Sequence, residues 1–166
     1  TTIVPTTVGT YWVRAVVNET LNYRVTTSEA TSFEITQLDL SSLSDSAIEF
    51  GLDTYTYNGS TITPNIQVSL GTDSYLSTSD YKVTYGVNQD VSTGGTVTIV
   101  AISDNCINSK TVSFDINPLS IDTLKDNIEI STETYNASEI KPTVTIMFNG
   151  KPLEEGKDFT VSNLNN

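Results

Sequence analysis

Hydrophobic positions recur at every second residue in short bursts along the chain. Ile66, Val68 and Leu70 alternate with Asn65, Gln67 and Ser69, and Val144, Ile146 and Phe148 repeat the alternation. Such a period places one face of a strand on a core and the other in solvent. Strand breakers separate the bursts: Asn58-Gly59, Gly71-Thr72, Gly94-Gly95 and Asn149-Gly150-Lys151-Pro152. No stretch carries a helical period, and "SLSDSAIEF" is too short and too rich in Ser to make a helix. The pattern predicts an all-β chain of short strands every ~8–12 residues, the spacing of a β-sandwich.

The bursts also repeat. "DSAIEF" (45–50) pairs with "KDNIEI" (125–130), and "TYNGSTITPNIQVSL" pairs with "TYNASEIKPTVTIMF". At one constant offset Tyr57 meets Tyr135, Pro64 meets Pro142, Val68 meets Ile146, Asp80-Tyr81 meets Asp158-Phe159, Val83 meets Val161 and Asn88 meets Asn166. The remaining part repeats as well: "VGTYWVRAVV" (8–17) with "GGTVTIVAIS" (94–103), and "SFEIT" (32–36) with "SFDIN" (113–117). These pairings predict three stretches: the back part of one unit (1–36), a whole unit (37–117) and the front part of a third (118–166). Asn117-Pro118 suits a boundary, because Pro cannot continue a ladder.

The whole chain resembles the tandem bacterial immunoglobulin-like repeats of large cell-surface proteins and adhesins. The resemblance rests on Tyr57-Asn58-Gly59, on Pro64 opening an alternating strand, on Asp80-Tyr81-Lys82-Val83-Thr84-Tyr85 followed by Asn88, on Gly95, and on the closing Phe114-Asp115-Ile116. The third stretch departs from it at Ala137, Phe159 and Asn163. The resemblance implies immunoglobulin-like β-sandwich repeats, an extracellular cell-surface location, and a role as stalk, filament part or adhesin. It implies no particular ligand.

Composition and charge narrow the functions. A net charge of -12 with only eight Lys and Arg leaves no basic footprint for nucleic acid or for an anionic membrane surface. No apolar run approaches the ~20 residues of a membrane span. The acidity serves solubility; a calcium site is the sharper reading, but the acids are scattered and no Asp-x-Asp-x-Asp loop occurs. Cys106 is the only cysteine, so no intramolecular disulfide forms. It is expected to be small and half-buried. Asn18, Asn58 and Asn136 open N-x-S/T triplets, which serve here as surface markers.

Catalytic chemistry is not expected. The chain has no His, no Gly-x-Ser-x-Gly and no phosphate loop, and Glu154-Glu155 sits between the turn residues Pro152 and Gly156. No metal or cofactor is expected. Lys82, Lys110 and Lys141 are conceivable donors of an isopeptide crosslink, although all three fall on strand faces open to solvent.

The expected functional surface is an interface. Tyr11, Val13, Ala15, Phe33 and Ile35 share the inward parity of the first stretch, and Val144, Ile146, Phe148, Phe159 and Val161 that of the third. Both sets need cover. Trp12 matches Thr98 on the opposite face and, beside Arg14, suits contact with a neighbouring chain or a sugar. The expected partners are other copies of the chain, head to tail, with 118–166 completed by 1–36 of a neighbour. If the chain is a window of a longer array, the array completes it instead. A glycan or a host surface protein is the alternative partner.

Overall fold

The alternating bursts are strands. The computed structural model describes residues 4–162, so the matches at Asn163 and Asn166 lie outside the described residues. The chain is all-β and is assembled from several small, mostly antiparallel sheets. Residues 4–36 hold β1 (Gly9–Val13), β2 (Val16–Val17), β3 (Thr26–Thr27) and β4 (Thr31–Ile35). Here β1 pairs with β4 and β2 with β3.

The middle of the chain holds the densest packing. It contains β5 (Leu38–Asp39), β6 (Ile48–Phe50), β7 (Tyr55–Thr56), β8 (Ile66–Gly71), β9 (Ser74–Tyr75), β10 (Tyr81–Tyr85), β11 (Gly95–Ala101), β12 (Cys106–Ile107), β13 (Ser109–Phe114) and β14 (Ile116–Asn117). Two three-stranded antiparallel sheets, β6–β8–β9 and β10–β11–β13, supply most of one hydrophobic cluster. Ile48, Ile66 and Val68 come from the first sheet; Tyr81, Val97, Ile99 and Val112 come from the second; Leu40 and Cys106 fill between them. Two short parallel pairs, β5 with β12 and β7 with β14, join early and late parts of this region.

Of the residues with inward parity, Ile66, Val68, Tyr81, Val97, Ile99 and Ile116 are buried and Val83 and Phe114 are half-buried against the cluster, but Leu70, at the irregular end of β8, is 45% exposed. Cys106 differs from expectation: it is 4% exposed, a core residue rather than a half-buried one. Burial, helped by the nearby Asp80 carboxylate, pushes its thiol pKa up.

Single turns of 3₁₀ helix at Leu40–Ser42 and Asp45–Ala47 interrupt the strands. The second lies in the stretch expected to hold no helix. Local hydrogen bonding explains such turns. Asp39 accepts from the Ser41 backbone N–H at 2.9 Å and from the Ser41 hydroxyl at 2.7 Å, which seats Leu40 in the core. The Ser41 hydroxyl, then the Asn108 side-chain amide and the Ser41 N–H, lower the Asp39 pKa.

Asn88 locks the loop between β10 and β11. It is 2% exposed with φ +45°, and its amide bonds in three directions. Nδ2 donates to the carbonyls of Ile62 at 3.1 Å and Thr96 at 3.0 Å, and Oδ1 accepts from the Thr96 N–H at 2.7 Å. The backbone N–H of Ile62 closes the set on the Asn88 carbonyl at 2.9 Å. Tyr85 adds a second link, its hydroxyl donating to the buried Pro64 carbonyl at 2.9 Å.

Beyond residue 117 lie a 3₁₀ segment, Ile121–Asn127, and the strands β15 (Ile128–Ile130), β16 (Val144–Phe148) and β17 (Lys151–Pro152). Their register repeats that of the middle region. Ile48 faces Val68 and Phe50 faces Ile66; Ile128 faces Ile146 and Ile130 faces Val144. The flanking bonds correspond too. Gly51 N–H to Asn65 carbonyl and Ser131 N–H to Thr143 carbonyl are both 2.9 Å, and Leu76 to Val68 and Leu153 to Ile146 are both 2.8 Å.

Candidate assembly interface

The two flanking regions cover only in part the apolar faces whose counterparts the middle region buries. On β1, Tyr11 is half-buried while Val13 is 57% exposed; on β4, Phe33 is 40% exposed and Ile35 is half-buried. Ala15, also of inward parity, is exposed. Alternation has set the direction of these side chains, but among the described residues no second sheet covers them.

The β1–β4 pairing differs in one respect from the sequence match. Aligning Gly9 with Gly95 and Phe33 with Phe114 places Thr31 opposite Tyr11, as Val112 lies opposite Val97. The structure instead sets Tyr11 opposite Phe33, two residues along. The rings lie 5.8 Å apart, and a cross-strand aromatic pair is a sufficient cause for this choice. An even shift leaves every side chain on its original face.

Trp12 lies on the other face of β1, 70% exposed and opposite Ser32, with Arg14 exposed beyond it. Its counterpart Thr98 shares a 2.8 Å hydroxyl–hydroxyl hydrogen bond with Thr111 on the outer face of the middle region. Trp12 therefore stands where the intact sheet presents a small polar residue.

In the last region the expected residues divide. Val144 and Phe159 are half-buried, and Val161 is 36% exposed. Ile146 is only 3% exposed, because the 3₁₀ segment carrying the buried Leu124 folds over β16. Ile146 is thus taken up within the chain rather than presented to a partner. Phe148 is also engaged: its ring lies 5.8 Å from Tyr57 of the middle region. Beside it the Asn149 amide donates to the Asn58 carbonyl at 2.6 Å, and a Cβ at Gly59 would press on Phe148. The structure brings Tyr11, Phe33 and Ile35 together on one face and Val144, Ile146 and Phe148 together on another. Among the described residues, no strand of 4–36 pairs with a strand of 118–162.

A side-chain network at the first junction was not foreseen. Asp80 accepts from Ser103 Oγ at 2.6 Å and from Asn105 Nδ2 at 3.1 Å, and Asn105 Oδ1 in turn accepts from the Val8 N–H at 3.1 Å. Gln37 Nε2 donates to the Asp104 carbonyl at 3.0 Å. Only the Asp-Tyr dipeptide in the repeat hinted at it. Of the three lysines considered for crosslinking, Lys82 and Lys141 are exposed as expected, whereas Lys110 lies opposite the buried Ile99, is half-buried, and pairs with the exposed Asp45 at 2.7 Å.

Among the described residues, no group of three His, Cys, Asp or Glu is placed to hold a metal ion, and no helix is long and apolar enough to cross a membrane. No protein-family model, no curated protein and no solved structure matches the chain.

Proposed function

We propose that the chain is a structural repeat unit of an extracellular fibre, stalk or filament, built from immunoglobulin-like β-sandwich repeats at a cell surface. One observation carries this reading. The β15–β16 ladder has the register of β6–β8, while the counterparts of β11 and β13, two of the three strands that cover β6–β8, are β1 and β4 of residues 4–36. The half-unit at 118–166 is completed by strands of the 1–36 type, supplied by a neighbouring copy or by the next stretch of a longer array. In the middle region Val83 faces Ile99 and Tyr81 faces Ala101. By correspondence Val161 would face Val13, and Phe159 would face Ala15. Head-to-tail supply of this kind is heterologous and builds open filaments. The exposed apolar side chains on both flanks favour it, since covering each large one is worth ~1.5–3 kcal/mol.

The test is a Val13→Cys, Val161→Cys double variant, oxidised at high concentration and sized by denaturing electrophoresis, with negative-stain images of the same sample. Supply by a neighbouring copy gives a ladder of crosslinked multimers and visible fibres. A folded sample that stays monomeric and uncrosslinked contradicts it. A second reading, an adhesin module for glycan or host protein, is favoured by the outward Trp12 beside Arg14. A Trp12→Ala variant that assembles normally but no longer adheres to a glycan surface would support it.

A further inference from the structure

Where 4–36 meets the middle region, one short strand closes the junction. There β12 runs parallel to β5 with Cys106 opposite Leu38, and the Leu38 N–H donates to the Asn105 carbonyl at 2.9 Å. Cys106 joins Leu40 in the core, and the Asn105 side chain ties the Asp80 carboxylate to the Val8 N–H. The last region repeats one side of this arrangement. The stretch "LDLSSL" (38–43) matches "LSIDTL" (119–124), and their caps agree. Asp39 accepts from the Ser41 N–H, and its carbonyl accepts from Ser42 Oγ at 2.7 Å. Ser120 accepts from the Asp122 N–H, and its carbonyl accepts from Thr123 Oγ1 at 2.7 Å. Leu119 and Ile121 therefore stand for Leu38 and Leu40, as Leu153 stands for Leu76 and Asp158 for Asp80. The other side is missing. Among the described residues Leu119 belongs to no strand pair, and Ile121 is 47% exposed where Leu40 is sealed.

The gap is a groove. The junction that holds β12 leaves about 370 Å³ open; its counterpart, lined by Leu119, Ile121, Leu124, Phe148, Leu153 and Asp158, leaves about 710 Å³. Lys157 at the rim is paired with Glu154 at 3.4 Å, so the charges there outside ion pairs are the Asp90 and Asp158 carboxylates. Asp158 Oδ2 accepts from the Glu154 N–H, and Oδ1 has no partner among the described residues. A fitting occupant brings an apolar side chain in place of Cys106, a donor in place of Asn105, and a free strand edge. Residues 24–27 carry all three. Counting back from the Phe33–Phe114 match, Val25 stands for Cys106 and Arg24 for Asn105. Val25 is 64% exposed, and β3 pairs only with β2 among the described residues. Arg24 is exposed and in no ion pair among them. Within one chain β3 does not pair with 118–162, so a second copy is the occupant that fits.

We propose that residues 24–27 of a second copy dock in this groove. The β3 edge lies parallel beside Leu119, Val25 covers Ile121, and the Arg24 guanidinium pairs with the Asp158 carboxylate. The contact rests on the assembly reading above and adds to it a further strand and a charged anchor that β1 and β4 do not supply. The test measures, by sedimentation, the concentration at which the 166-residue chain assembles. Arg24→Glu and Asp158→Lys should each raise it about tenfold or more, and the two together should return it to near the native value. Thermal unfolding of the monomer should be unchanged in all three. Should Asp158→Lys disturb the turn at Glu154, Val25→Cys with Leu119→Cys gives an independent readout: oxidation should yield a ladder of crosslinked multimers. The Val13→Cys, Val161→Cys variant keeps the two readings apart. If its ladder does not form, the assembly reading fails and this contact fails with it. If its ladder forms while the Val25→Cys, Leu119→Cys variant leaves only monomers, or while the double charge reversal stays as weak as either single one, assembly stands and the docking of 24–27 is overturned.

Discussion

Two ladders with one register have different surroundings. In β6–β8, Ile48, Ile66 and Val68 are 3%, 6% and 0% exposed; in β15–β16, Ile128 is 38% exposed and Val144 half-buried, and only Ile146 is sealed. The tyrosines that precede the two Asn-centred turns diverge in the same way. Tyr57 is half-buried against Phe148, whereas Tyr135 is 85% exposed. Strand parity and turn chemistry are local properties, so both regions acquire the same ladder. Burial depends on the facing sheet, and β10–β11–β13 faces only the first. A ladder can therefore form without a facing sheet, and its inward side chains then stay partly exposed.

Paired substitutions break this comparison most sharply. Ile99→Ala, at a fully buried position, is expected to cost about 3–4 kcal/mol through lost burial and cavity formation. Val13→Ala, at the corresponding position of β1 and 57% exposed, is expected to stay within about 0.5 kcal/mol in the monomeric chain. Urea unfolding of both variants measures the contrast, and equal costs would mean that β1 already has a covered face.

Asn88→Ala comes next, with an expected loss of about 2–3 kcal/mol. It leaves the Thr96 N–H and the Ile62 and Thr96 carbonyls without their side-chain partner. A shift in the urea midpoint with an unchanged slope would locate the loss in stability rather than in the extent of unfolding.

Alkaline pH should weaken the middle region before it affects the flanks. Burial raises the pKa of Tyr81, and burial with the Asp80 charge raises that of Cys106. Each folded group holds its proton to higher pH than the unfolded one. Their contribution is complete below the ordinary values of 10.0 and 9.0, and is lost as pH rises through the raised folded values. Denaturation midpoints measured across that range should fall, and Cys106→Ala should remove the thiol's share of the slope.

The smallest expected effect is a gain. Ala137 holds φ +61°, the left-handed conformation that Gly59 occupies with φ +76° at the matching turn. Ala137→Gly should stabilise the last region by about 1 kcal/mol by removing the steric cost to Cβ. A rise in the melting temperature of the 118–162 signals checks it.

Much of this contrast was legible in the chain. The alternation at Ile66–Leu70 and Val144–Phe148 located the central strands, and the repeat aligned the two stretches whose ladders, β6–β8 and β15–β16, share one register. The outward position of Trp12 followed from parity. Other features did not follow, because they depend on spacing in three dimensions. Ile146 was expected to need a partner, but period 2 cannot reveal that a 3₁₀ turn carrying Leu124 folds over it. Cys106 was placed too near the surface because its strand β12 is only two residues long and shows no alternation. The Tyr11–Phe33 register shift depends on a ring contact that alignment to Phe114 hides. The packed rings of Phe50, Tyr55 and Phe114 come from three separate strands, none of which signals the cluster alone.

The central claim is that the middle region is closed while the flanking ladders are only partly covered. Native-state hydrogen exchange of the monomeric 166-residue chain, followed by the same measurement after assembly, tests it most directly. The account predicts that amides of β8 and β11 exchange only by global unfolding in both states. Amides of β1, β4 and β16 should exchange orders of magnitude faster in the monomer and gain protection on assembly. Uniform protection across all five strands in the monomer would contradict it.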